Sequence, residues 1–73
     1  MLVQWERIPD EPDTHVARTL YGTIRISLTR VYPRARTYRV QHNGETVESF
    51  IANLDMAKRR AELYVNRLAN QAR

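Results

Sequence analysis

Apolar and polar residues alternate along residues 22–31, whose sequence is GTIRISLTRV. Successive side chains of a β-strand point to opposite sides of the sheet, so this alternation indicates a half-buried strand. The side expected to face a core carries Ile24, Ile26 and Leu28. The side expected to face solvent carries Arg25, Ser27 and Thr29.

A hairpin is predicted around Asn43-Gly44, within the segment TYRVQHNGETVESFI at residues 37–51. An Asn-Gly pair between two β-prone runs favours a two-residue turn, because both turn positions need positive φ. This turn predicts a register with four opposed pairs: His42 and Glu45, Val40 and Val47, Tyr38 and Ser49, and Arg39 and Glu48. The inward-facing residues are then Tyr38, Val40, Val47 and Ile51. Phe50 falls on the outward side, so we expect a bulge or the end of the strand near it.

The C-terminal part of the chain has the pattern of an amphipathic helix over residues 54–70. Asn53 is a suitable N-cap, and Asp55 in the first turn complements the positive end of the helix dipole. Apolar residues recur at the three- and four-residue spacing that forms one stripe along a helix. This stripe consists of Leu54, Ala57, Ala61, Tyr64, Val65, Leu68 and Ala72.

The first 21 residues are less regular. LVQWERI, which contains Trp5, predicts a short strand, and HVARTLY at residues 15–21 predicts another. Between them PDEPDT, residues 9–14, has two prolines and three acids and is expected to be a loop. Gly22 indicates a tight turn or a bulge. Whether residues 1–21 join the sheet is left open by these patterns.

These elements predict an α+β fold in a single domain, residues 1–73. An acidic N-terminal segment and loop (1–14) precede antiparallel strands (15–52) and a C-terminal helix (53–72). Three or four strands are expected, with the helix packed across one face of the sheet. Its stripe is expected to contact Ile24, Ile26, Leu28, Val40, Val47 and Ile51. The other face of the sheet remains polar and exposed.

The composition adds an uneven distribution of charge. Residues 1–14 carry a net charge of −3, whereas residues 15–73 carry +7, and arginine outnumbers lysine eleven to one. The planar guanidinium group fits phosphate and carboxylate oxygens, so this bias suits an anionic partner. A genome rich in G and C would produce the same bias without a binding role, and the sequence favours neither interpretation.

The sequence offers no catalytic or metal-binding constellation, and we expect no enzyme activity and no cofactor. The chain has no cysteine, and its two histidines, His15 and His42, lack partners at metal-ligand spacing. Neither Ser27 nor Ser49 lies on a nucleophile elbow. Two isolated glycines do not form a phosphate-binding loop.

The chain has no apolar run of the roughly 20 residues that a membrane span needs. The N-terminal sequence lacks the basic start and long apolar run of a signal peptide. We therefore expect a protein in the cytoplasm of the host cell that has no membrane partner.

The positions of the arginines predict a cationic binding surface. Arg25, Arg39 and Gln41 are expected on the exposed face of the sheet, and further arginines surround the hairpin tip in RVYPRARTYRV. The candidate residues for binding nucleic acid or a partner are Arg25, Arg30, Tyr32, Arg34, Arg36, Arg39 and Gln41. Cations at such positions suit phosphate contacts, and Tyr32 could stack on a base. The alternative is a solvated rim that only increases solubility.

A second candidate surface lies on the side of the helix away from the apolar stripe. It consists of Met56, Arg59, Leu63 and Arg67. Two apolar residues among cations suit docking on an acidic groove of another protein, or pairing of two helices in a homodimer.

Residues 22–70, which include GTIRISLTR and the hairpin-to-helix segment TYRVQHNGETVESFIANLDMAKRRAELYVNRL, resemble the integrase amino-terminal arm-binding domain and its plant ethylene-response relatives. Those domains have three antiparallel strands followed by a helix. The resemblance implies DNA binding by the sheet face, here at Arg25, Arg39 and Gln41. Glu48 is expected on the same face and departs from that pattern.

The whole chain is similar to small phage and prophage accessory proteins, some of which inhibit host defences such as CRISPR complexes. The matching residues are Trp5, Arg7, Phe50, Leu54, Ala57, Lys58, Ala61 and Glu62. This similarity implies a non-catalytic, anti-CRISPR-like accessory or inhibitor protein that binds a host protein or a nucleoprotein complex. The alternative is a DNA- or RNA-binding module that uses the basic sheet face.

Overall fold

The computed structural model describes residues 3–31 and 35–71. The described part of the chain forms one antiparallel sheet followed by one helix, with each strand paired to the next along the chain. The elements are β1 (Glu6–Ile8), β2 (Glu11–Thr19), β3 (Gly22–Val31), β4 (Ala35–His42), β5 (Glu45–Ile51) and α1 (Leu54–Gln71). The predicted α+β class, antiparallel sheet and single C-terminal helix are confirmed.

The sheet has five strands where three or four were expected, because the N-terminal residues add two strands. The predicted loop at residues 9–14 is wrong: only Pro9 and Asp10 form a turn, and β2 already begins at Glu11. Pro12 is tolerated in this strand because the pairing of β2 with β3 starts at Thr14 opposite Ser27. The Pro12 nitrogen, which cannot donate a hydrogen bond, therefore lies outside that ladder.

The core lies between α1 and one side of the sheet, hereafter the helix side. Its buried residues are Ala17, Ile24, Ile26, Val40, Ile51, Ala57, Ala61 and Val65. Fully burying a side chain of the size of Ile24 or Val65 stabilises the fold by roughly 1.5–3 kcal/mol. The two helix alanines have no exposed surface, and their small size lets the helix approach the sheet closely.

The helix begins as the sequence predicts. The Asn53 side chain accepts a hydrogen bond from the Met56 amide at 2.8 Å, and the Asn53 carbonyl accepts one from the Ala57 amide. The first bond satisfies an amide that has no partner within the helix. The expected contact residues on the sheet are confirmed for Ile24, Ile26, Val40 and Ile51, whereas Val47 is 38% exposed.

The register of β4 with β5 departs from strict alternation. The predicted pair His42 and Glu45 is confirmed, but Val40 lies opposite Glu48 and Tyr38 lies opposite Ile51. Two irregularities produce this shift, one between Tyr38 and Val40 and one between Val40 and Gln41. Each places an extra β5 residue opposite β4, which turns later side chains to the other side of the sheet.

The irregularity between Val40 and Gln41 overturns the predicted opposition of Arg39 and Glu48. Glu48 shares the helix side with Val40, and its carboxylate lies 3.5 Å from a guanidinium nitrogen of Arg60 on α1. A bulge near Phe50 was expected and is confirmed by the Phe50 φ of 59°. The second bulge returns Ile51 to the core, where it is 4% exposed.

Candidate binding surface

The side of the sheet away from α1, hereafter the open face, carries polar side chains from the central strands. Across β3 and β4, Arg25 lies opposite Gln41, Ser27 opposite Arg39, and Thr29 opposite Thr37. Opposed residues of antiparallel strands point to the same side of the sheet. The structure thus brings Arg25, Arg39 and Gln41 together on the open face.

Acidic residues from the N-terminal strands neutralise part of this face. The Arg25 guanidinium forms an ion pair and a hydrogen bond with the Glu11 carboxylate. Arg18 and Glu6 are 3.9 Å apart, and both side chains are largely exposed. Exposed pairs of this kind contribute about 0–1 kcal/mol to stability, so their arginines remain available to a stronger anion.

Arg39 differs from Arg25 in its surroundings. Its side chain is half-buried, and the Nε atom is buried without a hydrogen-bond partner. Within the part of the chain that the structure describes, no carboxylate oxygen lies within 4.0 Å of its guanidinium group. A buried donor without a partner is unfavourable, and among the described residues no carboxylate neutralises the charge of this guanidinium group.

A pocket of about 230 Å³ opens beside Arg39 on the same face. It is lined by Thr29, Thr37, Arg39, Thr46, Ser49 and Phe50. The Phe50 side chain at its rim is 74% exposed and belongs to the bulge of β5. The lining therefore combines four hydroxyl-bearing residues, one arginine and one aromatic residue at a single concave site.

Sequence reasoning identified only Arg39 among the pocket residues as a binding candidate. The outward position of Phe50 was visible from the Asn43-Gly44 register, but its place beside Arg39 was not. Two residues of β5 lie opposite Arg39 because of the bulge, and the alternation of polar and apolar residues contains no sign of that extra residue.

One arginine of the hairpin tip, Arg36, does not join this surface as predicted. Arg36 shares its side of the sheet with Tyr38 and Val40, so it lies on the opposite side from Arg39, which corrects the expectation of one continuous cationic surface. Arg30 pairs with Arg36 through the backbone. Tyr32 and Arg34 lie outside the described residues.

The second candidate surface is exposed, as its sequence pattern predicts. Met56 and Leu63 are 41% and 56% exposed, and Arg59 and Arg67 are exposed beside them. A groove of about 180 Å³ runs between α1 and β5 at this point. Its lining includes Val47, Glu48, Arg60, Leu63, Tyr64 and Arg67.

The two histidines lie in contact with other parts of the fold: His42 is hydrogen-bonded through both ring nitrogens, and His15 is partly buried. The Nε2 atom of His42 donates to the Tyr21 carbonyl at 2.7 Å, and its Nδ1 atom accepts from the Tyr64 hydroxyl at 2.9 Å. These bonds connect the β2–β3 turn, β4 and α1 through one imidazole ring. Burial lowers the pKa of His15, and the positive charges of Lys58 and Arg7 lower it further against the opposing effect of Asp13.

Within residues 3–31 and 35–71, no three His, Asp or Glu side chains lie together in a group that could hold a metal ion. No helix in these ranges combines the length and the apolar character required to cross a bilayer. Comparison of this chain with models of protein families, with curated protein sequences and with solved structures finds no match.

Proposed function

We propose that this chain is a small, non-catalytic protein that binds nucleic acid through the open face of its sheet. The observation that carries this proposal is Arg39, which is half-buried, lines a pocket with hydroxyl-bearing residues and, among the described residues, has no carboxylate within 4.0 Å. Phosphate oxygens suit this site because arginine donates in a planar fork and charge-assisted hydrogen bonds are strong.

The charge of the surrounding face supports this function. Glu48, which strict alternation would place opposite Arg39, pairs instead with Arg60 on the helix side. Arg25 and Arg18 are held by exposed carboxylates, which a phosphate chain can displace at small cost. The net charge of +4 over the whole chain favours association with a polyanion at low salt.

Fluorescence anisotropy with labelled oligonucleotides, measured at several salt concentrations, tests the proposal. The logarithm of the association constant should fall linearly with the logarithm of salt concentration. Arg39→Ala should weaken binding and reduce the magnitude of that slope by about 0.7–0.9, the value for one lost phosphate contact.

The matched control is Arg59→Ala, which removes the same charge from the exposed side of α1. It should change the affinity much less than Arg39→Ala, because Arg59 lies away from the open face. Absence of binding at low salt, or an equal loss in the two variants, would contradict the proposal.

A second candidate function is that of a mobile-element accessory or inhibitor protein that docks on a host protein. Leu63, which is exposed and lines the groove between α1 and β5, favours it, as does the exposed Met56 on the same helix. Among the described residues, neither Arg59 nor Arg67 has a carboxylate within 4.0 Å. The partner expected here is therefore an acidic segment with apolar residues, as in other helix-and-groove contacts.

The same cations make a homodimer through this surface less favourable than an acidic partner. Pairing two copies would place Arg59 and Arg67 of each chain near those of the other, and like charges repel. Sedimentation equilibrium should thus give the mass of one chain.

Affinity capture from host cells should recover a partner with the Arg39→Ala variant but not with the Leu63→Glu variant. Recovery of the partner with Leu63→Glu would exclude docking at the helix.

A further inference from the structure

The backbone of Phe50 is in a conformation that its side chain does not favour. Its φ of 59° lies in the left-handed region, where a bulky residue is an outlier and glycine or asparagine is usual. In the turn that precedes β5, the positive φ angles belong to Asn43 and Gly44, which are residues of the favoured kind. Phenylalanine at this position therefore requires a different explanation from turn formation.

Packing does not supply that explanation. The Phe50 side chain is 74% exposed, so its ring contributes little buried apolar area to the core. Strained residues that lack a folding role concentrate at functional sites, because the surrounding structure holds them where they are used. An exposed aromatic ring on such a backbone is suited to stack on a flat partner.

The ring lies at the rim of the pocket that contains Arg39. The volume of about 230 Å³ is below the range of roughly 300–1,000 Å³ that is typical of sites enclosing a whole small molecule. A phosphate group fits such a space, with the guanidinium and the hydroxyls of Thr46 and Ser49 as donors. A group attached to that phosphate would extend over the exposed ring.

We infer that this pocket binds one nucleotide of a single-stranded nucleic acid, with the phosphate at Arg39 and the unpaired base stacked on Phe50. The inference rests on the proposed function and adds a preference for single strands. Base faces in a duplex are covered by their neighbours, whereas an unpaired base can stack on an aromatic side chain. A duplex would contact only the cations of the open face.

The test compares single-stranded and duplex oligonucleotides of the same sequence with the wild-type chain and two Phe50 variants. Phe50→Asn removes the ring but tolerates positive φ, so its melting temperature should not fall below that of the wild type. It should weaken single-strand binding roughly five- to 150-fold, the range for loss of one stacked base. Phe50→Trp should retain the affinity because it keeps a stacking surface.

The outcomes separate this inference from the proposed function. Duplex binding that is unaffected by Phe50→Asn, together with weakened single-strand binding, supports both. Equal affinity for the two forms with no effect of Phe50→Asn overturns the inference and leaves the proposed function standing. Absence of binding to either form overturns the proposed function and the nucleotide site together, and the exposed ring would then be assigned to a protein contact.

Discussion

At the scale of single residues, His15 makes the stability of the fold depend on pH. The pKa of His15 is lowered in the folded chain, chiefly by burial and then by Lys58 and Arg7. Folding therefore favours the neutral imidazole, and the unfolded chain takes up a proton first as the pH falls below about 6.5. The contribution of His15 to stability is complete above that pH and is lost below it.

We predict that the difference in stability between pH 7.5 and pH 5 is smaller in His15→Gln than in the wild type. Glutamine does not titrate, so the variant lacks the proton uptake that favours the unfolded state at pH 5. Urea denaturation at both pH values measures the effect, and carboxylates contribute equally to both proteins. An identical pH dependence in the two proteins would contradict the role assigned to His15.

At the scale of elements, the two hairpin turns at one end of the sheet are connected through Gly22 and Asn43. The Thr23 amide donates to the Asn43 side chain at 2.9 Å, and the Asn43 amide donates to the Thr23 carbonyl at 2.9 Å. Gly22 has a φ of 123°, and a Cβ at this position would lie 2.5 Å from the Asn43 side chain. The close contact between the turns therefore depends on glycine.

We predict that Gly22→Ala lowers the free energy of unfolding by about 2–4 kcal/mol, through backbone strain and loss of the Asn43 hydrogen bond. Gly44→Ala is the matched control, because its φ of 89° is also unfavourable but no atom lies within 4 Å of the added Cβ. Thermal or urea denaturation should show a smaller loss for Gly44→Ala. Equal losses would indicate that the contact with Asn43 contributes nothing.

The hairpin of β4 and β5 is also understood at the scale of elements: the sequence predicts its turn but not the bulges of β5. Asn43-Gly44 determines the turn and the first pair, because its backbone requirement is local. The bulges of β5 depend on which residues α1 and the core accept, and this is a property of tertiary packing. One extra residue turns Glu48 to the helix side, where it reaches Arg60, and a second extra residue then returns Ile51 to the core. The pocket beside Arg39 is produced by this shift, so alternation alone could not reveal it.

At the scale of the whole molecule, the uneven charge along the chain becomes a contact within the fold. Glu6 lies in β1, where a strand was expected, whereas Glu11 and Asp13 build the start of β2, where a loop was expected. This strand places Glu11 against Arg25. The sequence shows a net charge of −3 for residues 1–14 and of +7 for residues 15–73. It does not show that acidic and basic residues from these two segments meet on one face of the sheet. In the folded chain, the N-terminal strands moderate the positive charge of the open face.

We predict that Glu11→Gln strengthens oligonucleotide binding roughly 1.5- to 5-fold, the equivalent of one exposed ion pair that no longer competes. Arg25 would then contact phosphate directly, and the salt dependence should become steeper. Glu62→Gln on α1 changes the net charge equally and serves as the control. The role of Glu11 would be excluded if both variants gained affinity to the same extent.

The two edge strands of the sheet influence how the protein associates with other molecules. One outer strand, β1, has three residues, and the other, β5, is interrupted by two bulges. A long, flat outer strand offers its backbone amides and carbonyls to neighbouring chains and so promotes fibril growth, whereas short or kinked ones discourage it. Crowding in a cell should therefore not drive this chain into cross-β stacks, and recognition of a ligand is left to side chains.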